Sequence, residues 1–358
     1  MTLRDVAREL GVSHMTVSNA YNRPEKLSEE LRRRVLDTAR RLGYQGPDPL
    51  AAGLVKRQAG ALGVLFDEDL PYALTDPAAL LFLQGVARAG QNFALGLTLL
   101  PAPRTTDDEE SAAHAARSAL VDGFVVYSVS AEHPGFLAAR RRGIPLVVVD
   151  EPEPTTRDEW SFLGVDDRGG AYTAARHLTD LGHRRIAILA DRLTPGADHK
   201  GPVDSHRLAA TTYQVARRRL DGYLAALTDA GIAPSTVPIW ECAGGTPEHA
   251  TTATRELLTG DPDTRVTAII AMTDELARGV LRTADAMRIH VPHDLSVIGF
   301  DDVPEAARTR PPLTTIQQPL HDKGALAVEL LTQHPQPPIQ KRLPTRLITR
   351  ATTAPPNA

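Results

Sequence analysis

The sequence predicts a small helix-turn-helix module followed by a much larger α/β body built on parallel sheets. In the first forty-five residues, apolar side chains recur every three or four positions, as they do in short amphipathic helices. From Ala61 onward, short apolar runs alternate with stretches rich in Ala and Leu, a pattern typical of parallel strands covered by helices. The chain has 358 residues, more than the roughly 100 to 200 of one domain. A small module plus one large or divided body is therefore expected.

Three short helices are predicted to share one core at the start of the chain. Thr2 caps the first helix, Asp5 lies near its positive end, and Gly11 ends it where a left-handed residue is wanted. The second helix begins at Ser13 and runs to about Tyr21, so the connection is only three or four residues long. The cap, inward face and end of the third helix are Ser28, Leu31, Val35, Ala39, Leu42 and Gly43.

The second helix is unusually polar on its outer face, which suits a helix that lies in the major groove of DNA. The residues of this face are His14, Met15, Thr16, Ser18 and Asn19. The charge distribution agrees: the first sixty residues carry a net charge of +4 and the remainder −8, as expected when only one end of a protein meets phosphates. A helical adaptor without a nucleic-acid role is the alternative, since three amphipathic helices occur in many modules.

The body shows eight apolar runs that read as strands and four long helical stretches. The runs are ALGVLF, ALGLTLL, GFVVYSV and PLVVVD in a first lobe, then RRIAILA, VPIWE, VTAIIAM and LSVIGFDD, with helices near 78–91, 168–182, 213–231 and 274–288. The sequence contains no GxGxxG after a strand, no P-loop and no GxSxG, the usual motifs of dinucleotide binding, phosphate transfer and serine hydrolysis. His199 and His206 lack partners at metal-binding spacing. We expect no cofactor, no metal and no catalytic residue.

Cysteine usage and hydropathy indicate the compartment. Cys242 is the only cysteine, so an intrachain disulfide or a thiolate metal cluster is excluded and a reducing compartment fits. No apolar run approaches the roughly 18 residues needed to span a bilayer, and the first residues do not form a signal peptide. A cytoplasmic protein without a membrane partner is expected.

Several stretches resemble one known family. TLRDVARELGVSHMTVSNAYN resembles the opening of the lac repressor and galactose repressor family of bacterial transcriptional regulators, and PDPLAAGLVKR is similar to the family's hinge. The most recognisable pieces of the body are GVDDRGGAYTAARHLTDLGHRRIAIL, VPHDLSVIGFDDVPEAARTRPPLTTIQQP and LPTRLITRATTAPP, which are similar to the family's periplasmic-binding-protein-like effector domain of two doubly wound parallel-sheet lobes. The resemblance implies a homodimeric, sequence-specific repressor of transcription that binds pseudo-palindromic operator DNA. A small-molecule effector held between the lobes would control it allosterically: a sugar first, with a sugar phosphate or a nucleobase also represented in the family.

The resemblance also implies domain boundaries. These are a DNA-binding headpiece at 1–45, a hinge helix at 46–58, an effector-binding and dimerisation domain at 59–350, and a tail at 351–358. The first lobe would combine about 61–150 with 290–316, and the second about 151–289 with 317–350. From composition alone, 46–58 could equally be a linker. The irregular run 191–212 could shape effector specificity or be a disordered insertion.

Site residues are carried over position by position. In the headpiece, His14, Met15 and Asn19 would read base edges, and the residues that position the DNA backbone would be Thr2, Ser13, Thr16, Ser18, Tyr21 and Asn22. Leu54, with Ala51 beside it, would be the minor-groove wedge. The effector ligands would be Asp301, Arg219, Thr246 and Thr273, with Asp67 and Tyr72 from the loop after the first strand. For each polar residue the alternative is a solvated loop side chain or a helix cap.

Two other functions share parts of this pattern. A solute-binding transport component would have the same body but needs a signal peptide and no headpiece. A small-sugar enzyme would need paired carboxylates or a metal cluster at suitable spacing.

Overall fold

The computed structural model describes residues 1–46, 58–66, 70–101, 109–195, 199–242, 244–259, 261 and 265–357. The chain separates into two compact units, Met1–Gly60 and Ala61–Ala358. Within the described ranges, every helix is too short or too polar to cross a membrane.

The described part of the first unit, residues 1–46 and 58–60, contains three α-helices and one short 3₁₀ turn. They are α1 (Leu3–Leu10), α2 (His14–Asn22), the turn Pro24–Lys26, and α3 (Glu29–Arg41). The predicted start and stop signals are confirmed: Gly11 has φ = 65°, and the Ser13 hydroxyl oxygen accepts a hydrogen bond of 3.1 Å from the Thr16 N–H. Ser28 caps α3 in the same way, accepting from the Leu31 N–H at 3.3 Å.

A small apolar core holds these helices together. Val6, Val17 and Val35, one from each helix, are fully buried at its centre. The rings of Tyr21 and Tyr44 meet edge to face at 5.9 Å, so the segment after α3 folds back onto α2. The outer face of α2 lies outside this core.

The second unit contains two sheets, each with helices on both faces, and its thirteen described strands are distributed as follows. The first sheet has the order β2-β1-β3-β4-β5-β12, formed by Gly96–Pro101, Ala61–Phe66, Phe124–Tyr127, Leu146–Val149, Ser161–Val165 and Gln340–Leu343. The second has the order β13-β11-β10-β9-β6-β8-β7, formed by Arg346–Ile348, Thr314–Gln317, Ser296–Asp301, Ala268–Ala271, Ile186–Ala190, Ile239–Glu241 and Gly201–Pro202.

Ten helices in the described part of this unit cover the sheets. They are α4 (Leu70–Ala73), α5 (Pro77–Asn92), α6 (Glu109–Ser118), α7 (Pro134–Arg141), α8 (Asp167–Asp180), α9 (Ser205–Ala209), α10 (Gln214–Asp229), α11 (Ala250–Leu258), α12 (Asp274–Ala286) and α13 (Leu320–Gln333). Short 3₁₀ turns lie at Pro234–Thr236 and Ala306–Arg308. All eight predicted strands and all four predicted helices are present, and the predicted fold class is confirmed.

Both sheets have the same doubly wound topology. Within the first, β1 lies between β2 and β3, and within the second, β6 lies between β8 and β9, with parallel pairing in each case. In such sheets the strand order reverses beside the first strand, and a crevice opens there at the carboxyl ends. The two antiparallel strands, β7 and β13, lie at the edges of the second sheet.

The predicted division into lobes is wrong in both parts. Strand β5 pairs with β4, so 161–165 belongs to the first lobe, although 151–289 was assigned to the second. Strand β10 pairs with β9 and β11, so 296–317 lies in the second lobe, although 290–316 was assigned to the first. Conversely, β12 pairs with β5 at the edge of the first sheet, and α13 packs on α5 of the first lobe. A buried apolar strand carries no mark of the sheet that it joins, because only its hydrogen-bonded neighbours decide that. The lobes exchange chain three times, near 165–167, 317–320 and 343–346.

The run 191–212 and the C-terminal residues are both folded where the structure describes them. In the run 191–212, β7 pairs with β8 and α9 follows, and Arg207 of α9 donates two hydrogen bonds of 2.7 Å to the buried carboxylate of Glu241. The final residues lie against the second sheet, where the Val297 N–H donates to the Thr352 carbonyl oxygen at 2.8 Å. A disordered insertion is therefore excluded for 191–195 and 199–212.

Candidate functional site

A cavity of about 180 Å³ lies between the two lobes of the second unit. Residues at the carboxyl ends of strands from both sheets line it, as the strand order predicts, together with residues of the helices α4, α5, α10 and α12. From the first lobe these are Phe66, Ala73, Asp76, Ala78, Ala79, Tyr127, Ser128, Asp150 and Glu151. From the second lobe and the crossover they are Asp191, Arg192, Tyr213, Val215, Ala216, Arg219, Gly245, Met272, Thr273, Glu275, Asp301, Val303 and Gln318.

Three of the lining residues have a backbone conformation that side chains other than glycine rarely adopt. The φ angles of Ser128, Asp150 and Asp301 are 51°, 67° and 121°. Each residue lies at or just after the carboxyl end of a strand. Such strain costs on the order of 1 to 3 kcal/mol per residue and clusters at functional sites. Its concentration here marks the cavity as a site rather than a packing defect.

Arg219 is the most constrained cation of the cavity. Its Nε donates to the Asp167 carboxylate at 2.8 Å, and its Nη1 donates to the Met272 carbonyl oxygen at 2.7 Å. The guanidinium lies 3.7 Å from the centre of the Phe300 ring, and its Nη2 is 3.8 Å from the carboxylate of Asp301. Arg219 is thereby fixed in one orientation before any ligand enters.

The close packing of α10 on α8 explains how Arg219 reaches Asp167. A Cβ atom at Gly222 would lie 2.3 Å from the carbonyl oxygen of Arg168, so only glycine permits this approach. Gly222 lies one turn after Arg219, and Asp167 is the first residue of α8. The motif RLDGY therefore supplies both the cation and the contact that positions it.

A chain of buried hydrogen bonds runs from Asp301 to the first lobe. Gln318, on the second crossover, donates from its Nε2 to Asp301 at 2.6 Å. Its carbonyl oxygen accepts a 2.7 Å bond from the Lys323 ammonium, which also donates to both oxygens of Asp150 at 2.8 and 2.7 Å. Because α13 belongs to the first lobe and β10 to the second, these four side chains connect the lobes at the cavity floor.

Burial and neighbouring negative charges raise the pKa values of two acids in this cavity. Burial raises the pKa of Asp301 to about 7, although the Arg219 guanidinium opposes the shift. Burial also raises the pKa of Asp76 to about 6, against the N–H groups of Ala78 and Ala79 that it caps. Burial alone would lower the pKa of Arg219, but Asp167 and Asp301 outweigh it and raise that pKa. Arg219 therefore stays charged, whereas Asp76 and Asp301 titrate near neutral pH.

The six predicted effector residues are not all brought together. Asp301, Arg219 and Thr273 line the cavity, although the Thr273 hydroxyl also caps α12, accepting from the Leu276 N–H at 3.2 Å. Thr246 is absent from the described lining, and its hydroxyl contacts His249 Nδ1 at 2.9 Å. Asp67 lies outside the described residues, and of Tyr72 only the main chain, within α4, is described.

Sequence reasoning missed several cavity residues. Asp150 and Asp191 directly follow the strands β4 and β6, so the rule that ligands bind at carboxyl strand ends would have found them. Asp76 and Gln318 follow no such rule, because one caps a helix and the other lies on a crossover. Their approach to the cavity depends on the path of the chain between the lobes.

The headpiece presents the predicted DNA-contacting face on and around α2. His14, Met15 and Asn22 are exposed, and Met15 leaves 58% of its surface to solvent despite being apolar. The remaining predicted residues of α2 are partly buried: Thr16, Ser18, Asn19 and Tyr21. Ser13 and Thr2 are exposed at helix starts, and the Thr2 main-chain N–H and hydroxyl both donate to the Asp5 carboxylate at 2.9 Å. Ala51 and Leu54, the predicted wedge, lie outside the described residues.

A helix-turn-helix unit and a two-lobed ligand-binding unit in one chain define a class of protein, the DNA-binding regulator with its own effector domain. Known proteins agree with this class. Residues 2–46 match the family described as bacterial regulatory proteins, lacI family, and residues 175–353 match the periplasmic binding protein-like domain. The HTH-type transcriptional regulator IpsA of Corynebacterium glutamicum is 45% identical over 92% of this chain and 90% of its own. The regulator Rv3575c of Mycobacterium tuberculosis is 40% identical over 99% and 97%.

Solved structures are similar over the whole chain. A LacI-family transcriptional regulator from Corynebacterium glutamicum is 40% identical, with a TM-score of 0.74 over 98% of both chains. A complex of the regulator CelR with cellobiose has a TM-score of 0.69 at 26% identity, covering 98% of this chain and 99% of that one. The lac repressor dimer bound to operator has a TM-score of 0.77 over 99% of both chains, and its 24% identity supports the fold alone.

The chain belongs to the lacI family of bacterial transcriptional regulators. Its relatives carry the names of regulators and repressors rather than of enzymes, and this chain is accordingly a DNA-binding regulator of transcription.

Proposed function

We propose that this chain is a cytoplasmic homodimeric repressor that binds a pseudo-palindromic operator. A sugar or sugar derivative bound between its lobes raises or lowers its affinity for that operator. The observation that carries the proposal is the interlobe cavity. Arg219 and Asp301 of the second lobe line it, and a chain of buried hydrogen bonds joins Asp301 to the first lobe. The CelR complex with cellobiose supports a sugar as the class of ligand.

In this proposal the headpiece is 1–45, the hinge helix 46–58 and the effector domain 59–350. His14, Met15 and Asn19 read base edges, because Asn pairs bidentately with adenine and a Met side chain offers apolar contact to a thymine methyl group. The hydroxyl and amide groups around α2 position the DNA backbone, and Leu54 is the minor-groove wedge. The place of Met15 supports this role, because it is exposed near the start of α2, where a side chain can reach a groove of DNA.

Effector binding is proposed to change the angle between the lobes. A ligand that contacts Asp76 on one lobe and Asp301 on the other favours one relative arrangement, and its differential affinity sets the size of the shift. Gln318 lies on a crossover and donates to Asp301, so movement of the lobes and the geometry of this ligand-binding carboxylate are linked. The first-lobe interface of the dimer then brings the two hinge helices together or apart.

The edge of the first sheet supports the dimer. Strand β2 is the terminal strand of that sheet. Leu97, on this strand, and Phe93, just before it, leave 37% and 44% of their surface exposed. An exposed apolar edge is a ready surface for a second chain. The lac repressor of similar fold is a dimer on its operator.

The proposal is tested by selecting binding sites from a library of random DNA duplexes with the purified full chain. The expected result is enrichment of two related half-sites about one helical turn apart, or a multiple of it. The selected duplex is then titrated by fluorescence anisotropy with and without a panel of monosaccharides and disaccharides. Enrichment of no sequence, or an affinity for DNA that no compound alters, would contradict the proposed function.

A further inference from the structure

We propose that the effector of this cavity is an uncharged, hydroxyl-rich ligand of monosaccharide size, and that phosphorylated or carboxylated ligands are excluded. The inference rests on the proposed function and specifies its ligand. It depends on three features of the described residues. They are the balance of charges around the cavity, the partners that its buried cations already have, and the volume of the cavity with its aromatic lining.

Carboxyl groups dominate the cavity wall. Six carboxyl side chains line it against two guanidiniums. The six are Asp76, Asp150, Glu151, Asp191, Glu275 and Asp301, and the two are Arg192 and Arg219. Including their charged neighbours Asp167, Lys323 and Arg278, seven carboxyl groups face four cations. The field inside is therefore negative, and the mutual repulsion contributes to the raised pKa of Asp76, beside Glu275 and Asp191.

Each of the two most buried cations, Lys323 and Arg219, is already paired with a carboxylate. The three donors of the Lys323 ammonium are taken up by the two oxygens of Asp150 and by Gln318. Arg219 is held between Asp167 and Asp301 and also bonds a carbonyl oxygen. An anionic ligand at Arg219 would be buried beside Asp167 and Asp301, and the repulsion between these like charges disfavours it. By contrast, ligand hydroxyls that donate to carboxylates form charge-assisted hydrogen bonds.

Size and shape favour one sugar ring. An engineered cavity of about 150 Å³ holds a single benzene molecule, so about 180 Å³ accommodates one six-membered ring. Three aromatic residues line the space, Phe66 and Tyr127 from the first lobe and Tyr213 from the second. Tyr127 is fixed by stacking on Phe82, with ring centres 4.2 Å apart. Aromatic faces pack against the C–H faces of a sugar, and the carboxylates take its hydroxyls.

The test is calorimetric titration of the full chain with matched pairs of ligands. Each neutral pentose, hexose and sugar alcohol of a panel, ribose and glucose among them, is compared with its phosphate ester and its acid, and cellobiose serves as the two-ring compound. We expect the best neutral monosaccharide-sized ligand to bind at least 100-fold tighter than its phosphate ester and tighter than cellobiose. A phosphate ester or acid that binds as tightly as its neutral parent, or an equal affinity for cellobiose, overturns the inference while the proposed function stands. If no compound of the panel binds, both fail.

A variant pair tests whether charge causes the exclusion. The double substitution Asp76→Asn and Glu275→Gln removes two negative charges and keeps the shape of both side chains, so we expect discrimination against the phosphate ester to fall about tenfold. Glu256→Gln, an exposed residue of α11, is the matched control and should change nothing. Unchanged discrimination in the double variant, with its fold intact by circular dichroism, would overturn the electrostatic cause.

Discussion

The ammonium of Lys323 lies 2.7 and 2.8 Å from the two carboxylate oxygens of Asp150, and the lysine side chain is fully buried. The pair joins the first helix after the second crossover to the end of the fourth strand of the first sheet. Through Gln318 it extends to Asp301 of the second lobe. The polar side chains of the cavity floor thus form one connected network of hydrogen bonds.

Removing the lysine should strongly destabilise the second unit. In Lys323→Met, Asp150 is left as a buried carboxylate without its cation, and breaking such a pair costs about 3 kcal/mol or more in the free energy of unfolding. The measurement is urea unfolding of the full chain followed by far-UV circular dichroism. The double variant Lys323→Met/Asp150→Asn, which removes both charges, should recover most of the loss. A single variant whose free energy of unfolding is within about 1 kcal/mol of the parent would argue against the pair's importance.

Arg219→Lys should separate charge from geometry in effector binding. Lysine keeps the positive charge but cannot reach Asp167, Asp301 and the Met272 carbonyl from one planar group. We expect effector affinity to fall at least tenfold while operator affinity without effector is unchanged. Calorimetry and anisotropy measure the two quantities, and a loss of operator affinity as large as that of effector affinity would indicate misfolding instead.

Asp76 should make stability depend on pH. Burial raises its pKa from an ordinary 3.8 to about 6, so the native state favours the protonated acid. The contribution is fully present below about pH 4 and is lost as pH rises through about 6, on the order of 3 kcal/mol in all. Asp76→Asn keeps the cap of α5 and does not titrate. The stability of the parent should therefore fall relative to the variant between pH 4 and pH 7, and a constant difference would contradict the assignment.

Asn19→Ala should lower specificity rather than general affinity for DNA. A residue that reads a base edge contributes about 1 to 3 kcal/mol of discrimination, whereas phosphate contacts set the dependence of binding on salt. The ratio of operator to random-duplex affinity should fall by tenfold or more, with the salt slope unchanged. Anisotropy titrations at several salt concentrations measure both, and Glu256→Gln is again the control. A changed slope with an unchanged ratio would make Asn19 a backbone contact.

Apolar periodicity and helix-capping residues in the sequence predicted the helices and most of the strands. Gly11, Ser13 and Ser28 mark helix ends by local chemistry, and each acts as predicted. The eight predicted apolar runs are strands because burial on both faces of a parallel sheet demands continuous apolar sequence. Short or edge strands such as Arg346–Ile348, partly exposed, lack that signal and were not predicted.

What the sequence could not predict depends on long-range pairing. The lobe assignment of 296–317 failed because sheet membership is set by neighbours distant in the chain. Asp301 and Arg219 were found as candidates, but Gln318 and Lys323 were not, since neither a crossover amide nor a lysine in a helix suggests burial. Lys323 is buried only because α13 packs closely on α5, where a Cβ atom at Gly324 would lie 2.1 Å from the Phe82 carbonyl oxygen.

The central claim is that effector binding and operator binding are linked through the angle between the lobes. The most direct measurement is the effector dissociation constant by calorimetry, on free protein and on protein saturated with its selected operator duplex. Linkage predicts that operator changes effector affinity by the same factor, about 5- to 150-fold, as effector changes operator affinity. Asp301→Asn should abolish the effect without altering operator affinity in the absence of effector. An effector affinity that is identical on free and DNA-bound protein would contradict the account.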